Sequence, residues 1–167
     1  MLQYNTISTA TLELLKKLMS FSEFKGLRLA GGTALALQIG HRISVDLDFF
    51  GKVNFYDINL PLIFQDFNSL TTLKKSDNIN IFVINDIKVD FVNYSYPWLK
   101  SEIIEDRIRL ANLEDIAAMK IAAITGRATK KDFVDLYFLL MHFNLSQILS
   151  FFEAKYFDAS KFLALKS

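Results

Sequence analysis

Asp46 and Asp48 alternate with apolar residues in Val45-Asp46-Leu47-Asp48-Phe49-Phe50. A strand of that pattern sends the two carboxylates to one face and Val45, Leu47 and Phe49 to the other. Neighbouring anions on a half-buried strand repel and lose hydration, which is costly unless a cation is present. A hard, oxygen-seeking ion such as Mg²⁺ meets that need. An exposed edge strand with two solvated aspartates would carry the same letters, so the pair gains meaning only from its surroundings.

Three other groups supply those surroundings. Ile87-Lys88-Val89-Asp90-Phe91-Val92 is a second strand, with Asp90 on the same face as Lys88 and Val92. If it lies beside the first strand, Asp46, Asp48 and Asp90 converge, and such a set can hold one or two Mg²⁺ ions that bridge a triphosphate. Upstream, Leu29-Ala30-Gly31-Gly32-Thr33-Ala34 reads as strand, glycine turn and helix. Glycines allow close backbone approach, and the free N–H groups of a new helix favour a phosphate, to which Thr33 could add a hydroxyl. Taken alone, Gly-Gly-Thr is also an ordinary way to start a helix.

The fourth group is helical. In the helix from Leu113, Lys120 falls within the apolar stripe of Leu113, Ile116, Ala117 and Ile124, where a lysine must snorkel out or find an anion. The next helix is apolar nearly all round from Phe133 to Phe143, which predicts burial, yet it carries Asp132 and Asp135. Asp132 can complement the helix dipole. Asp135 needs a partner, for which Arg127, Lys130 and Lys131 are candidates.

Positioning these groups takes a mixed α/β half followed by helices. Periodicity predicts helices over Thr9–Met19, Thr33–Ile39, Leu60–Leu70, Leu113–Thr125, Lys131–Phe143 and Ser146–Lys155, with a further one over Ala159–Leu165. Strands are predicted over Leu27–Ala30, Val45–Phe50, Thr71–Lys75, Asn80–Ile84, Ile87–Asn93 and Arg107–Leu110, with Asn85-Asp86 as a hairpin turn. One sheet flanked by helices is the economical arrangement. The expected organisation is one domain over 1–167, with a mixed α/β half (1–110) and a helical C-terminal half (111–167).

Composition narrows the function classes. The 167 residues are 51% hydrophobic with sixteen Phe, ample for a core. Nineteen basic against eighteen acidic residues leave a net charge of +1, so any nucleic-acid contact must come from a local patch. Zero Cys excludes disulfides, thiolate zinc sites and a cysteine nucleophile, and two His are too few for a histidine metal cage. The N-terminus lacks a signal-peptide pattern and no apolar run reaches spanning length, so a soluble cytoplasmic protein without membrane partner is expected.

Five blocks in order, Gly31-Gly32-Thr33-Ala34-Leu35-Ala36-Leu37, His41-Arg42-Ile43-Ser44-Val45-Asp46-Leu47-Asp48-Phe49-Phe50, Lys88-Val89-Asp90-Phe91, Glu114-Asp115-Ile116-Ala117-Ala118-Met119-Lys120 and Lys131-Asp132-Phe133-Val134-Asp135-Leu136-Tyr137, resemble the AbiEii/AbiGii toxin family of nucleotidyltransferases. The resemblance implies an α+β, polymerase-β-like nucleotidyltransferase fold, dependence on Mg²⁺ and an NTP, and a type IV toxin–antitoxin or abortive-infection system used in phage defence. Related toxins modify the 3′ end of tRNA, and the implied antitoxin partner is a repressor. By motif, Asp46 and Asp48 would be metal ligands with Asp90 the third carboxylate, Lys120 the triphosphate contact, and Asp132 a later catalytic carboxylate supported by Asp135. Gly31, Gly32 and Thr33 would cradle phosphate, while Arg42 and Ser44 would brace the metal strand or touch the nucleotide. Gly-Gly-Thr departs from the Gly-Ser of many nucleotidyltransferases, and the chain is shorter after Asp135 than many relatives. Two other readings stand beside this one: a nucleotide-binding regulatory module with little turnover, and nucleotidyl transfer to a small molecule or a protein.

Overall fold

The computed structural model describes residues 1–157, so the helix expected over Ala159–Leu165 lies outside the described residues. The chain divides into two compact units. The first comprises Met1–Ser95 and Ile103–Leu110; the second comprises Tyr96–Glu102 and the chain from Ala111 onward.

The first unit is built on a seven-stranded mixed sheet of β1 (Leu27–Ala30), β2 (Leu47–Gly51), β3 (Leu70–Lys74), β4 (Ile79–Ile84), β5 (Ile87–Asn93), β6 (Ile103–Glu105) and β7 (Ile108–Leu110). Its order is β3-β4-β5-β2-β1-β7-β6. The β2–β5 and β1–β7 pairs are parallel and the others antiparallel. Helices α1 (Thr9–Ser20), α2 (Gly31–Ile39) and α3 (Leu60–Phe64) belong to this unit.

Strand alternation sorts the two faces of the sheet. Leu27, Leu29, Leu47, Phe49, Val89, Phe91 and Leu110 are buried on one face. There the Phe91 ring stacks on Phe49 at 5.2 Å and on Phe24 at 4.8 Å between ring centroids. Aromatic rings carry large apolar area, so burying this cluster contributes to the hydrophobic stabilisation of the unit. Arg109 fastens β7 by donating to the carbonyls of Met19, Phe24 and Leu27.

Several expected boundaries shift. Val45 stands ahead of β2 and is 55% exposed, so it is not part of the apolar face with Leu47 and Phe49. The helix from Leu60 ends at Phe64, because Asp66, Asn68 and Ser69 are weak helix formers and Leu70 already starts β3. β6 was not anticipated. It is three residues long and joins β7 through Asp106 and Arg107, both at positive φ, a turn without the usual glycine.

The second unit contains α4 (Leu113–Gly126), α5 (Lys130–Leu139) and α6 (Leu145–Lys155), each beginning after an Asn or Thr cap. α5 stops at Leu139 rather than Phe143, since Asn144 must be extended to cap α6 through a reciprocal box with Gln147. Its expected burial all round is also corrected. Phe133 and Tyr137 are 52% and 60% exposed, while the buried positions are Asp132, Asp135 and Leu139. The helix turns its carboxylates inward because they meet cations there.

Candidate active site

The carboxylate row sits at the centre of the sheet. β2 and β5 run parallel with Asp48 opposite Asp90, the register partner. Neighbouring strands lie about 4.8 Å apart, so side chains at partner positions on one face are adjacent. Both aspartates are half-buried, on the face opposite the phenylalanine stack. Asp90 also receives the Lys88 ammonium at 2.5 Å. Asp46 precedes β2 by one residue and is half-buried. Among the described residues, no group of three His, Cys, Asp or Glu side chains forms a ready metal cage.

Gly31 and Gly32 open α2 directly, so the helix begins two residues earlier than the periodicity predicts. Gly31 has φ +65°, a conformation open to glycine at little cost, and a Cβ built on it would overlap the Asp48 carboxylate. The N-cap is Ala30, which offers no side-chain cap to the first N–H groups of α2. Gly40, at φ +72°, ends the helix.

Thr33 is buried, and its hydroxyl is engaged within the protein. It donates to the Asp46 carbonyl and shares a 2.8 Å hydrogen bond with the Ser44 hydroxyl. Both hydroxyls thus tie α2 to the segment leading into β2. Arg42 in that segment donates to the Ile43 carbonyl.

The second unit gathers the remaining expected residues. The Lys120 ammonium lies 3.1 Å from Asp132 and 2.6 Å from Asp135. Lys120 is 5% exposed and Asp135 fully buried, so Asp135 meets the Lys120 ammonium, a cation of the preceding helix beyond the expected Arg127, Lys130 and Lys131. Asp132 further accepts from Arg127 through both oxygens and from the Thr129 hydroxyl at 2.6 Å. Burial pushes the Asp132 carboxyl up, but hydrogen bonds from Arg127, Thr129 and Lys120 outweigh it and hold the group well below the usual carboxylate range. Thr129 and Asp132 also form a capping box, for which Thr-x-x-Asp is the sequence signal.

A second buried pair was missed. Asp115 and Lys155 are both fully buried and 2.6 Å apart. Asp115 accepts from the Leu99 and Lys100 amides, while Lys155 also donates to the Pro97 carbonyl and lies 4.5 Å from the Trp98 ring centre. No spacing rule links positions so far apart in the chain.

The sequence profile of the nucleotidyl transferase AbiEii toxin family, a type IV toxin–antitoxin system, matches residues 13–163. The chain belongs to the AbiEii nucleotidyltransferase toxin family. It is therefore a nucleotidyltransferase, with an NTP as substrate and a cognate antitoxin implied by the family. A protein of Aquifex aeolicus (strain VF5), aq_aa25, is 35% identical over 161 residues, covering 93% of this chain and 78% of that protein. The crystal structure of JHP933 from Helicobacter pylori matches with a TM-score of 0.64 and 23% identity, over 90% of this chain and 80% of that one. The antibiotic-resistance factor ANT(2″)-Ia matches with a TM-score of 0.66 and 15% identity, over 95% and 96% of the two chains. These two likenesses show the α+β nucleotidyltransferase fold of the AbiEii chain. Among its described residues, no helix is long and apolar enough to cross a membrane.

Proposed function

We propose that this AbiEii chain transfers a nucleoside monophosphate from an NTP to the 3′ hydroxyl of an RNA, with tRNA as the acceptor, in a Mg²⁺-dependent reaction serving phage defence. The observation that carries the reading is the Asp48–Asp90 register, with Gly31 packed against Asp48. The family likeness supports tRNA and a repressor-type antitoxin as the finer assignments.

The carboxylate row fits the metal. Mg²⁺ keeps several waters and commonly takes one or two protein carboxylates plus substrate phosphates, so a full protein cage is not required. Asp48 and Asp90 would hold the ion, with Asp46 completing the carboxylate set. When bound, Mg²⁺ supplies charge neutralisation at the phosphates and lowers the pKa of the attacking hydroxyl. The acceptor hydroxyl attacks the α-phosphate in line, and pyrophosphate leaves.

The protein's own contributions are positional. The N-terminus of α2 at Gly31 and Gly32 has no side-chain cap, and the first N–H groups of a helix favour an anion such as phosphate. Thr33 and Ser44 we assign to bracing the carboxylate segment, since their hydroxyls bond each other and the Asp46 carbonyl. Arg42 is assigned to the same segment. Asp132 and Asp135 we assign to holding Lys120 within the helical unit.

The test is incubation of purified protein with each labelled NTP, Mg²⁺ and total RNA, followed by identification of the labelled species. Label on the 3′ end of tRNA is expected. No incorporation with any NTP, or undiminished incorporation by Asp48→Ala, would overturn the reading.

A further inference from the structure

Lys88 stands two positions before Asp90 on β5, and strand alternation puts both on the face that carries Asp48. Its ammonium reaches Asp90 Oδ1 at 2.5 Å, with the Lys88 side chain 41% exposed and that of Asp90 20% exposed. Two anions side by side require compensation, and Lys88 supplies one positive charge to one of them. A half-exposed ion pair of this kind is held weakly, so it can exchange.

Exchange matters because of where the pair lies. A divalent ion ligated by Asp90 and the ammonium of Lys88 compete for the same carboxylate oxygen, and two cations a few ångströms apart repel. We infer that Lys88 is an internal competitor of the divalent ion: it neutralises Asp90 in the metal-free protein and gives the carboxylate up when the ion arrives. This rests on the reading that Asp48 and Asp90 hold that ion.

The competition has a direction. Free divalent ion must displace the Lys88 ammonium into solvent, whereas an ion bound to a nucleoside triphosphate brings phosphate oxygens that can receive it. Lys88 therefore weakens binding of the bare ion more than binding of the ion–nucleotide complex. Lys88 thus biases loading towards metal that arrives with the substrate.

The experiment is a Mn²⁺ titration followed by electron paramagnetic resonance, with and without a non-hydrolysable NTP analogue. Lys88→Met and Lys88→Gln should bind free Mn²⁺ about threefold to fivefold more tightly than the wild type, while Lys88→Arg, which keeps the charge, stays near it. The gain should shrink in the presence of the analogue. Unchanged or weaker Mn²⁺ binding by both neutral variants, with folding intact by circular dichroism, overturns the inference. Asp90→Asn separates the two levels. If it binds Mn²⁺ as the wild type does, the metal assignment itself fails; if it loses binding while the Lys88 variants are unchanged, only the competition fails.

Discussion

A Cβ on Gly31 would overlap the Asp48 carboxylate, so the first residue of α2 and the carboxylate row are packed with no room for a side chain between them. The glycine turn that opens α2 and the carboxylate of β2 are therefore in direct contact. Displacing either displaces both.

Gly31→Ala tests that coupling. The left-handed backbone costs a non-glycine residue about 1–2 kcal/mol. Asp48 must also move, and a misplacement near 1 Å can lower a rate by about a hundredfold. Nucleotide incorporation is expected to fall by about that factor in an otherwise folded protein, as measured with labelled NTP and checked by a thermal melt.

Asp48→Asn and Asp90→Asn should separate activity from stability. Each removes a carboxylate from the row, and incorporation is expected to drop by about a hundredfold to a thousandfold. Like charges on adjacent strands oppose folding by about 0.2–1 kcal/mol, which offsets part of what the substitution removes, so both variants should stay folded in a thermal melt. A strongly destabilised Asp48→Asn would show that the aspartate is structural.

Lys120→Met leaves Asp132 and Asp135 buried without the ammonium between them. Removing one member of a buried ion pair costs about 3–5 kcal/mol, read as a lower denaturant midpoint. Adding Asp135→Leu should recover part of the loss, because an apolar pair of similar volume is tolerated where a lone charge is not.

Acid should act through Asp132. Its carboxyl is held below the ordinary range, so the stability it contributes is complete above the unfolded-state value of about 3.9 and is lost as pH falls from there towards the folded-state value. Wild type should therefore lose stability more steeply than Asp132→Asn below about pH 4, and the gap between them should narrow. Denaturation midpoints measured from pH 7 downward provide the comparison; parallel curves would contradict it.

Lys155→Met should loosen the segment that Asp115 holds. With the ammonium gone, buried Asp115 retains the Leu99 and Lys100 amides but lacks a countercharge. A loss of about 3–5 kcal/mol is expected. Faster hydrogen exchange at those two amides would localise it.

Much of the site was legible because strand and helix periods are local properties. Alternation in Val45 to Phe50 and Ile87 to Asn93 assigned Asp48 and Asp90 to sheet faces, and helical spacing set Lys120 among apolar residues. The Thr129–Asp132 capping box was equally local and went unread. That Lys120 must snorkel out or meet an anion was legible; which of the two, and which anions, was not, since Asp132 and Asp135 lie on another helix.

By itself the sequence determined the element types around the site, the glycine opening of α2 and the presence of charges that could not stay unpaired, because backbone sterics and side-chain alternation act over a few residues. Tertiary structure alone decided that β2 and β5 are parallel neighbours with Asp48 opposite Asp90, that the Thr33 hydroxyl turns to Ser44 and Asp46, and that Lys155 reaches Asp115. Those outcomes depend on which distant segments come together. Strand register and buried charge pairing are won by whole-unit packing, where the free energy of many contacts selects one arrangement among several that are locally equivalent.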